Sequence, residues 1–291
     1  TAIGTSALGA NTTGATNTAV GKSALLANTT ANNNTAVGVE ALAANTTGTE
    51  NVAVGAYAGD ALTTGSYNTA IGYIALSTAT TASDNTAVGR EALRDNTSGD
   101  DNVAVGKEAA KLNTTGSNNV AIGNHALNVN TTGQYNVAIG SLTLDANTTA
   151  DGNTGVGYAV LTSNTTGTGN TAVGRDSLAA NTTGSSNTAI GHDALDANTT
   201  ADHNTALGRD ALGTTTTGAQ NTGLGSSALT LVSGGVDNVS VGYNSGGAIT
   251  TGDENTAIGK SAGDTITTGD NNVVIGSGAD VSAADASGAN V

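Results

Sequence analysis

The apolar and polar positions of this chain recur with a period of 17 residues, and the period never slips. Every multiple of 17 from Asn17 to Asn272 is Asn, and a Gly stands four places later in every unit, from Gly4 to Gly276. Counting each unit from its Asn as slot 0, the consensus reads N-T-A-V-G-x-x-A-L-x-A-N-T-T-G-x-x. Slot 3 is always Val, Ile or Leu, slot 1 only Thr or Val, and slot 2 nearly always Ala. The β-branched residues at slots 1 and 3 suit a short pleated strand, and slot 3 reads as an apolar core column. The small slot 2 implies a close neighbour. Slots 5, 6, 9, 15 and 16 accept almost anything and read as solvent positions.

A strict period of this length means a stack of near-identical turns. The prediction is an all-β chain, a parallel β-solenoid (β-roll) of about seventeen 17-residue turns, which at strand spacing would extend roughly 80 Å. It reads as a single repetitive domain over 1–291, regular to about 276 and irregular over 277–291. Segments such as Arg90-Glu91-Ala92-Leu93-Arg94-Asp95 carry helix-forming residues. A helix about 10 Å across does not stack at a strand spacing of about 4.8 Å, so extended or tight-turn backbone is expected there. Late in the chain slot 11 turns apolar (Val232, Ile249, Ile266) while slot 8 loses Leu to Gly246 and Gly263, so bulk moves from one wall of the roll to the other.

The uniform slot 0 column comprises Asn17, Asn34, Asn51, Asn68, Asn85, Asn102, Asn119, Asn136, Asn153, Asn170, Asn187, Asn204, Asn221, Asn238, Asn255 and Asn272. An amide carries both donor and acceptor, so this column is read as a structural hydrogen-bond ladder along the axis. The Gly at slot 4 turns the chain out of the strand.

Composition narrows the picture. The chain has no Phe, Trp, Met, Cys or Pro, so an ordinary globular core is excluded and a thin, one-dimensional core remains. A net charge of −15 with only eight basic residues speaks against nucleic acid as a partner, and no apolar run is long enough for a membrane span.

At this point a resemblance becomes specific. Asn-(Thr or Val)-Ala-(Val or Ile)-Gly resembles the repeated strand motif of YadA-like head domains of trimeric autotransporter adhesins. The full unit G-x-x-A-L-x-x-N-T-T-G-x-x-N-T-A-V-G is similar to repeats of bacterial and phage tail-fibre-like proteins. The resemblance covers the chain to Gly276 and implies a left-handed, commonly trimeric β-roll used for attachment, extracellular at a cell surface or on a virion fibre.

Candidate chemistry is sparse. His125, His192 and His203 fall in solvent slots, and Gly155-Val156-Gly157 is a by-product of the repeat rather than a phosphate loop. No catalytic, cofactor or metal residues are assigned, and the chain is not read as an enzyme. Glu50, Asp100 with Asp101, Asp151, Asp202, and Asp253 with Glu254 recur about every third turn. Ca²⁺ is the one ion such carboxylates suggest, against the plainer reading of a solvated acidic rim. Ten N-x-(Thr or Ser) sequons, at Asn11, Asn28, Asn45, Asn96, Asn113, Asn130, Asn147, Asn164, Asn181 and Asn198, are candidate glycosylation sites.

The functional expectation is an extracellular structural fibre or adhesin shaft whose main partner is itself, with cell-surface glycans as a further partner. It polymerises head to tail, since the chain starts inside the motif at Thr1 and ends on Asn290-Val291, or oligomerises through the roll. The alternative is an ice-binding or carbohydrate-binding β-solenoid. The Thr columns at slots 12 and 13 would present one outward rank of hydroxyls, and six tyrosines in solvent slots could stack on sugars.

Overall fold

The computed structural model describes residues 1–289. Asn290 and Val291, on which the expectation of head-to-tail stacking rests, lie outside the described residues. Seventeen strands, almost all three residues long, recur every 17 residues, and the described residues contain no helix. The chain divides into two compact units. Residues 1–150 hold the strands from β1 (Ala2–Ile3) and β2 (Thr18–Val20) to β9 (Val137–Ile139), and residues 151–291 those from β10 (Thr154–Val156) to β17 (Val273–Ile275). Within each unit successive strands pair in parallel and in register, so Thr18, Ala19 and Val20 lie against Thr35, Ala36 and Val37, and Thr171, Ala172 and Val173 against Thr188, Ala189 and Ile190. Each unit is a β-solenoid in which every side chain sits on its counterpart one turn away.

The ladder continues outside the strands. Leu25 N–H reaches Ala41 O at 3.0 Å, Glu40 N–H reaches Lys22 O at 2.9 Å, and Thr12 N–H reaches Thr29 O at 2.9 Å. Backbone polar groups of the connecting segments are thus met by neighbouring turns. The helix-like stretches are tight turns for a local reason: slots 6, 8 and 16 are left-handed, as in Glu91 (φ 60°) and Leu93 (φ 48°), and this alternation is incompatible with a right-handed helix. Gly21 shows why slot 4 is Gly: its φ is 137°, and a Cβ there would lie 2.3 Å from Gly38 O.

The core corrects one expectation. Slot 3 is not the inner column. From β2 onward the middle strand residue is buried and its two neighbours face outward. Ala138 is fully buried whereas Ile139 exposes 37% of its surface. A strand alternates faces with a period of 2, so once slot 2 is inside, slots 1 and 3 must both be outside. The opposite wall is supplied by the turns: Ala24 and Leu25, Ala126 and Leu127, and Ala194 and Leu195 are completely buried at slots 7 and 8. Small Ala opposes large Leu across a narrow interior. Where slot 8 becomes Gly the volume returns at slot 11: a Cβ on Gly263 would lie 3.2 Å from Ile266 Cδ1, and one on Gly246 would lie 3.1 Å from Ile249 Cδ1. Leu62, Ile249 and Ile266 are all fully buried.

This arrangement predicts that Ala138→Asp lowers stability by more than about 3 kcal/mol, because a charge enters an interior with no partner for it. Ile139→Asp is expected to cost less than about 1 kcal/mol in the monomer. Thermal melts of the two variants check the assignment, and an Ile139→Asp melt as low as that of Ala138→Asp contradicts it.

Candidate functional site

Two asparagine columns line the interior and meet at a shared carbonyl. Asn34 N–H donates to Asn17 Oδ1 at 2.9 Å, and the same bond recurs one turn later from Asn51 N–H to Asn34 Oδ1. The Asn34 Nδ2 group donates to Gly48 O at 2.8 Å, and Asn45 Nδ2 at slot 11 donates to that same oxygen at 2.9 Å. Slot 11 side chains also stack on one another, Asn28 Nδ2 to Asn11 Oδ1 at 2.8 Å. Buried amides in such a lattice have fixed donor and acceptor directions.

The second column settles the sequons. Nine of the ten sequon asparagines, from Asn28 to Asn198, are 0–1% exposed, and Asn11 Nδ2 donates to Gly14 O. A glycan cannot be carried at a nitrogen enclosed in the interior, so the nine buried residues are structural in the folded chain, while Asn11 is partly exposed. The exposed hydroxyls belong to slot 13, as in Thr30, Thr115 and Thr200. At slot 12 the Thr Oγ1 instead donates to the next turn's backbone, Thr114 to Thr131 O at 2.8 Å.

Slot 15, read as solvent, makes a third ladder. A short polar side chain there accepts the slot 15 N–H of the preceding turn: Ser83 N–H to Asp100 Oδ1 at 2.7 Å, Asp100 N–H to Ser117 Oγ at 3.0 Å, Ser185 N–H to Asp202 Oδ1 at 2.6 Å and Val236 N–H to Asp253 Oδ1 at 2.8 Å. In these acidic residues one carboxylate oxygen is engaged by backbone. The excess of Ser, Asn and Asp at slot 15 was the available signal.

The chemistry of the surface concentrates in slots 5, 6 and 9, which adjoin one another within a turn and across turns. In the 1–150 unit they form a closed ionic network. Lys111 Nζ lies 2.8 Å from Glu91 Oε2 and 3.2 Å from Glu108 Oε2, Arg90 reaches Glu108 at 2.6 Å, and Arg94 grips Asp95 at 2.6 Å and Glu91 at 3.1 Å. His125 Nε2 stands 3.8 Å from Glu108. Glu91 and Glu108 are therefore buried, contrary to the solvent reading of slot 6. Burial pushes the Glu108 carboxyl up, but hydrogen bonds from Lys111, Lys107 and Arg90 outweigh it and hold it at about 2. The Lys111 hydrogen bond likewise lowers Glu91. At slot 9, Asp60, Asp145 and Asp196 are raised, chiefly by burial.

In the 151–291 unit the same slots hold Arg175-Asp176, His192-Asp193 and Arg209-Asp210 in three successive turns. Arg175 Nε is 3.1 Å from Asp176 Oδ2, His192 Nδ1 is 2.7 Å from Asp193 Oδ2, and Arg209 Nε is 3.3 Å from Asp210 Oδ2. His192 thus lies against the Asp193 carboxylate rather than standing free in solvent, and His203 is exposed. Elsewhere Tyr57 and Tyr73 meet edge to face with centroids 6.3 Å apart, and Tyr67, Tyr135, Tyr158 and Tyr243 are exposed. The described residues enclose no pocket and contain no helix long and apolar enough to cross a membrane. Fold and surface together define the chain as a tandem-repeat parallel β-solenoid. A comparison with known proteins finds no family model that matches the chain and no curated protein with significant similarity.

Two outcomes follow. Asn119→Ala removes the acceptor of Asn136 N–H and the donors to Gly133 O and Asn102 Oδ1. It is expected to cost about 2–4 kcal/mol from the groups left unpaired, measured by urea unfolding. Because the folded pKa of Glu108 lies below its ordinary value of 4.5, its contribution is complete above that value and is lost as pH falls toward about 2. The raised aspartates act with the opposite sign, destabilising at neutral pH and ceasing to do so as they protonate. Glu108→Gln should therefore lower Tm at pH 7 and flatten the loss of Tm between pH 4.5 and 2, which differential scanning calorimetry across that range reads directly.

Proposed function

We propose that this chain is a structural shaft, part of an extracellular fibre or adhesin at a cell surface or on a virion, and that its copies associate laterally through the outer face of the strands. The observation that carries this reading is the outward column at slot 3. Val54, Ile71, Ile122, Ile139, Ile190, Leu207, Leu224 and Ile258 are each 37–42% exposed. Beside them slot 1 holds only Thr or Val, so neither column carries a charge in any turn. A column of exposed apolar side chains within each unit marks an interaction site. On a chain of net charge −15, this uncharged face is where two copies approach with least repulsion and most apolar area to bury. The reading is structural rather than enzymatic, because the largest cluster of polar side chains, around Glu91 and Glu108, is spent on ion pairs within itself. The adhesin-like repeat motif points the same way.

Ice binding is the second reading, favoured by one observation on the same face. Slot 1 is Thr in most turns and lies in register with its counterparts, so Thr and apolar side chains form two parallel ranks at strand spacing. A carbohydrate ligand has less to recommend it, since Tyr57 and Tyr73 are edge to face rather than spread as a platform.

Sedimentation velocity separates the readings. Lateral association predicts an oligomer that Ile122→Lys with Ile139→Lys converts to a monomer with an unchanged circular dichroism spectrum. A wild-type chain that stays monomeric at all concentrations removes the lateral shaft, and measurable thermal hysteresis from that monomer would install ice binding in its place.

A further inference from the structure

We propose that Asp176, His192 and Asp193 form a binding site for one first-row divalent transition metal, with Zn²⁺ as its natural probe. One ligand atom from each residue lies within 4.8 Å of the others, the only such convergence of three histidine or carboxylate groups among the described residues. The repeat makes it. Slots 5 and 6 of successive turns stack in register, so a His in slot 5 is delivered beside carboxylates from its own turn and from the turn before.

The His192 ring supplies an observation independent of the clustering. Its Nδ1 is 2.7 Å from Asp193 Oδ2, yet that nitrogen is shielded from solvent and makes no aligned hydrogen bond. The approach to Asp193 is thus an ion-pair contact that leaves this nitrogen without a hydrogen bond of its own. Both side chains are partly exposed, as is that of Asp176, so the rotation that draws two oxygens and one nitrogen to the roughly 2.0–2.2 Å of a Zn²⁺ shell is open to them.

Charge balance distinguishes this cluster from the network in the 1–150 unit. There, slot 9 carries Arg94 and Lys111, which neutralise Glu91 and Glu108. Here, slot 9 of the middle turn is Asp196, which faces Asp193 and Asp210, while slot 9 in the flanking turns is Ala179 and Gly213. Four carboxylates stand against the guanidiniums of Arg175 and Arg209, leaving a negative excess of two, the charge a divalent cation offsets. An imidazole nitrogen in the set selects Zn²⁺, Co²⁺, Ni²⁺ or Cu²⁺ over the hard, oxygen-seeking Ca²⁺ and Mg²⁺. The three side chains leave room for water as a fourth ligand.

Isothermal titration of the 291-residue chain with Zn²⁺ at pH 7.5 tests the site, with Co²⁺ absorption reporting its geometry. The expected result is one Zn²⁺ per chain, at least tenfold weaker in His192→Ala and in Asp193→Asn, and unchanged in His125→Ala and His203→Ala. The visible Co²⁺ bands should vanish in His192→Ala. Melting curves without metal establish that the variants fold, and His192→Gln, which keeps the bulk of the side chain, replaces His192→Ala if that variant does not. Absence of Zn²⁺ binding to the wild type, binding that survives loss of His192, or Ca²⁺ binding equal to that of Zn²⁺ would each overturn the proposal.

Discussion

The constraint on which each unit depends is the slot 0 asparagine column and its bond to the slot 14 carbonyl, which the slot 11 asparagines share wherever that slot is Asn. In the turn that begins at Asn34, Gly48 O accepts from both Asn34 and Asn45, while Asn34 Oδ1 takes the backbone N–H of Asn51. One buried side chain thereby ties the start of its own strand to its own exit turn and to the next strand. No other residue type fits. Asp would face the carbonyl with an oxygen, Gln would displace the amide by one methylene, and Ala would leave the N–H and C=O unpaired in a dry interior. This is why every slot 0 position is Asn, although most other slots vary.

The rest of the cross-section is arranged around that lattice. A fixed distance between strand and turn leaves space for one small and one large side chain, and the pairs Ala138 with Leu144 and Ala189 with Leu195 are buried accordingly. Exchange is allowed only if volume is conserved, as when Gly263 is matched by Ile266. The left-handed residues at slots 6 and 8 cost about 1–2 kcal/mol each when they are not Gly. They persist because they aim the turn's N–H groups at the preceding and following turns, as Leu42 N–H does toward Ala58 O at 3.0 Å. Local strain is thus offset by non-local hydrogen bonding, which no turn can obtain alone.

Function divides along the same slots. The interior columns are uniform and hold the stack together. The strand's outer face is uniform as well, uncharged with one apolar column at slot 3, and it is the surface on which the proposed self-association rests. Slots 5, 6 and 9 vary from turn to turn, and because each copy stacks on the next, two or three neighbouring turns suffice to assemble a polar cluster. One such cluster is closed by lysine and arginine, around Glu91 and Glu108. Another, around His192, keeps excess negative charge. In a repeat protein of this kind a local site arises by changing a few surface positions without disturbing the lattice beneath them.

The stacking, its period and its all-β character were legible in the chain itself, because a strict 17-residue repeat with small and β-branched residues stacks in register and supports no packed globule. The tight turns were legible too, since helices do not fit the strand spacing. Which side of the strand faces inward was not. Hydrophobicity places Val and Ile inside and leaves Ala indifferent, whereas the narrow interior admits only Ala or Gly opposite Leu and turns Ile122 and Ile139 outward. The sequons misled for a related reason: Asn-Thr-Thr-Gly looks like a surface loop, and only the stacked turns reveal that Asn113 is enclosed while Thr115 is exposed. Nor could the sequence pair Lys111 with Glu91 or Asp176 with His192, because these contacts span neighbouring turns. Their geometry comes into being only when one turn lies on the next.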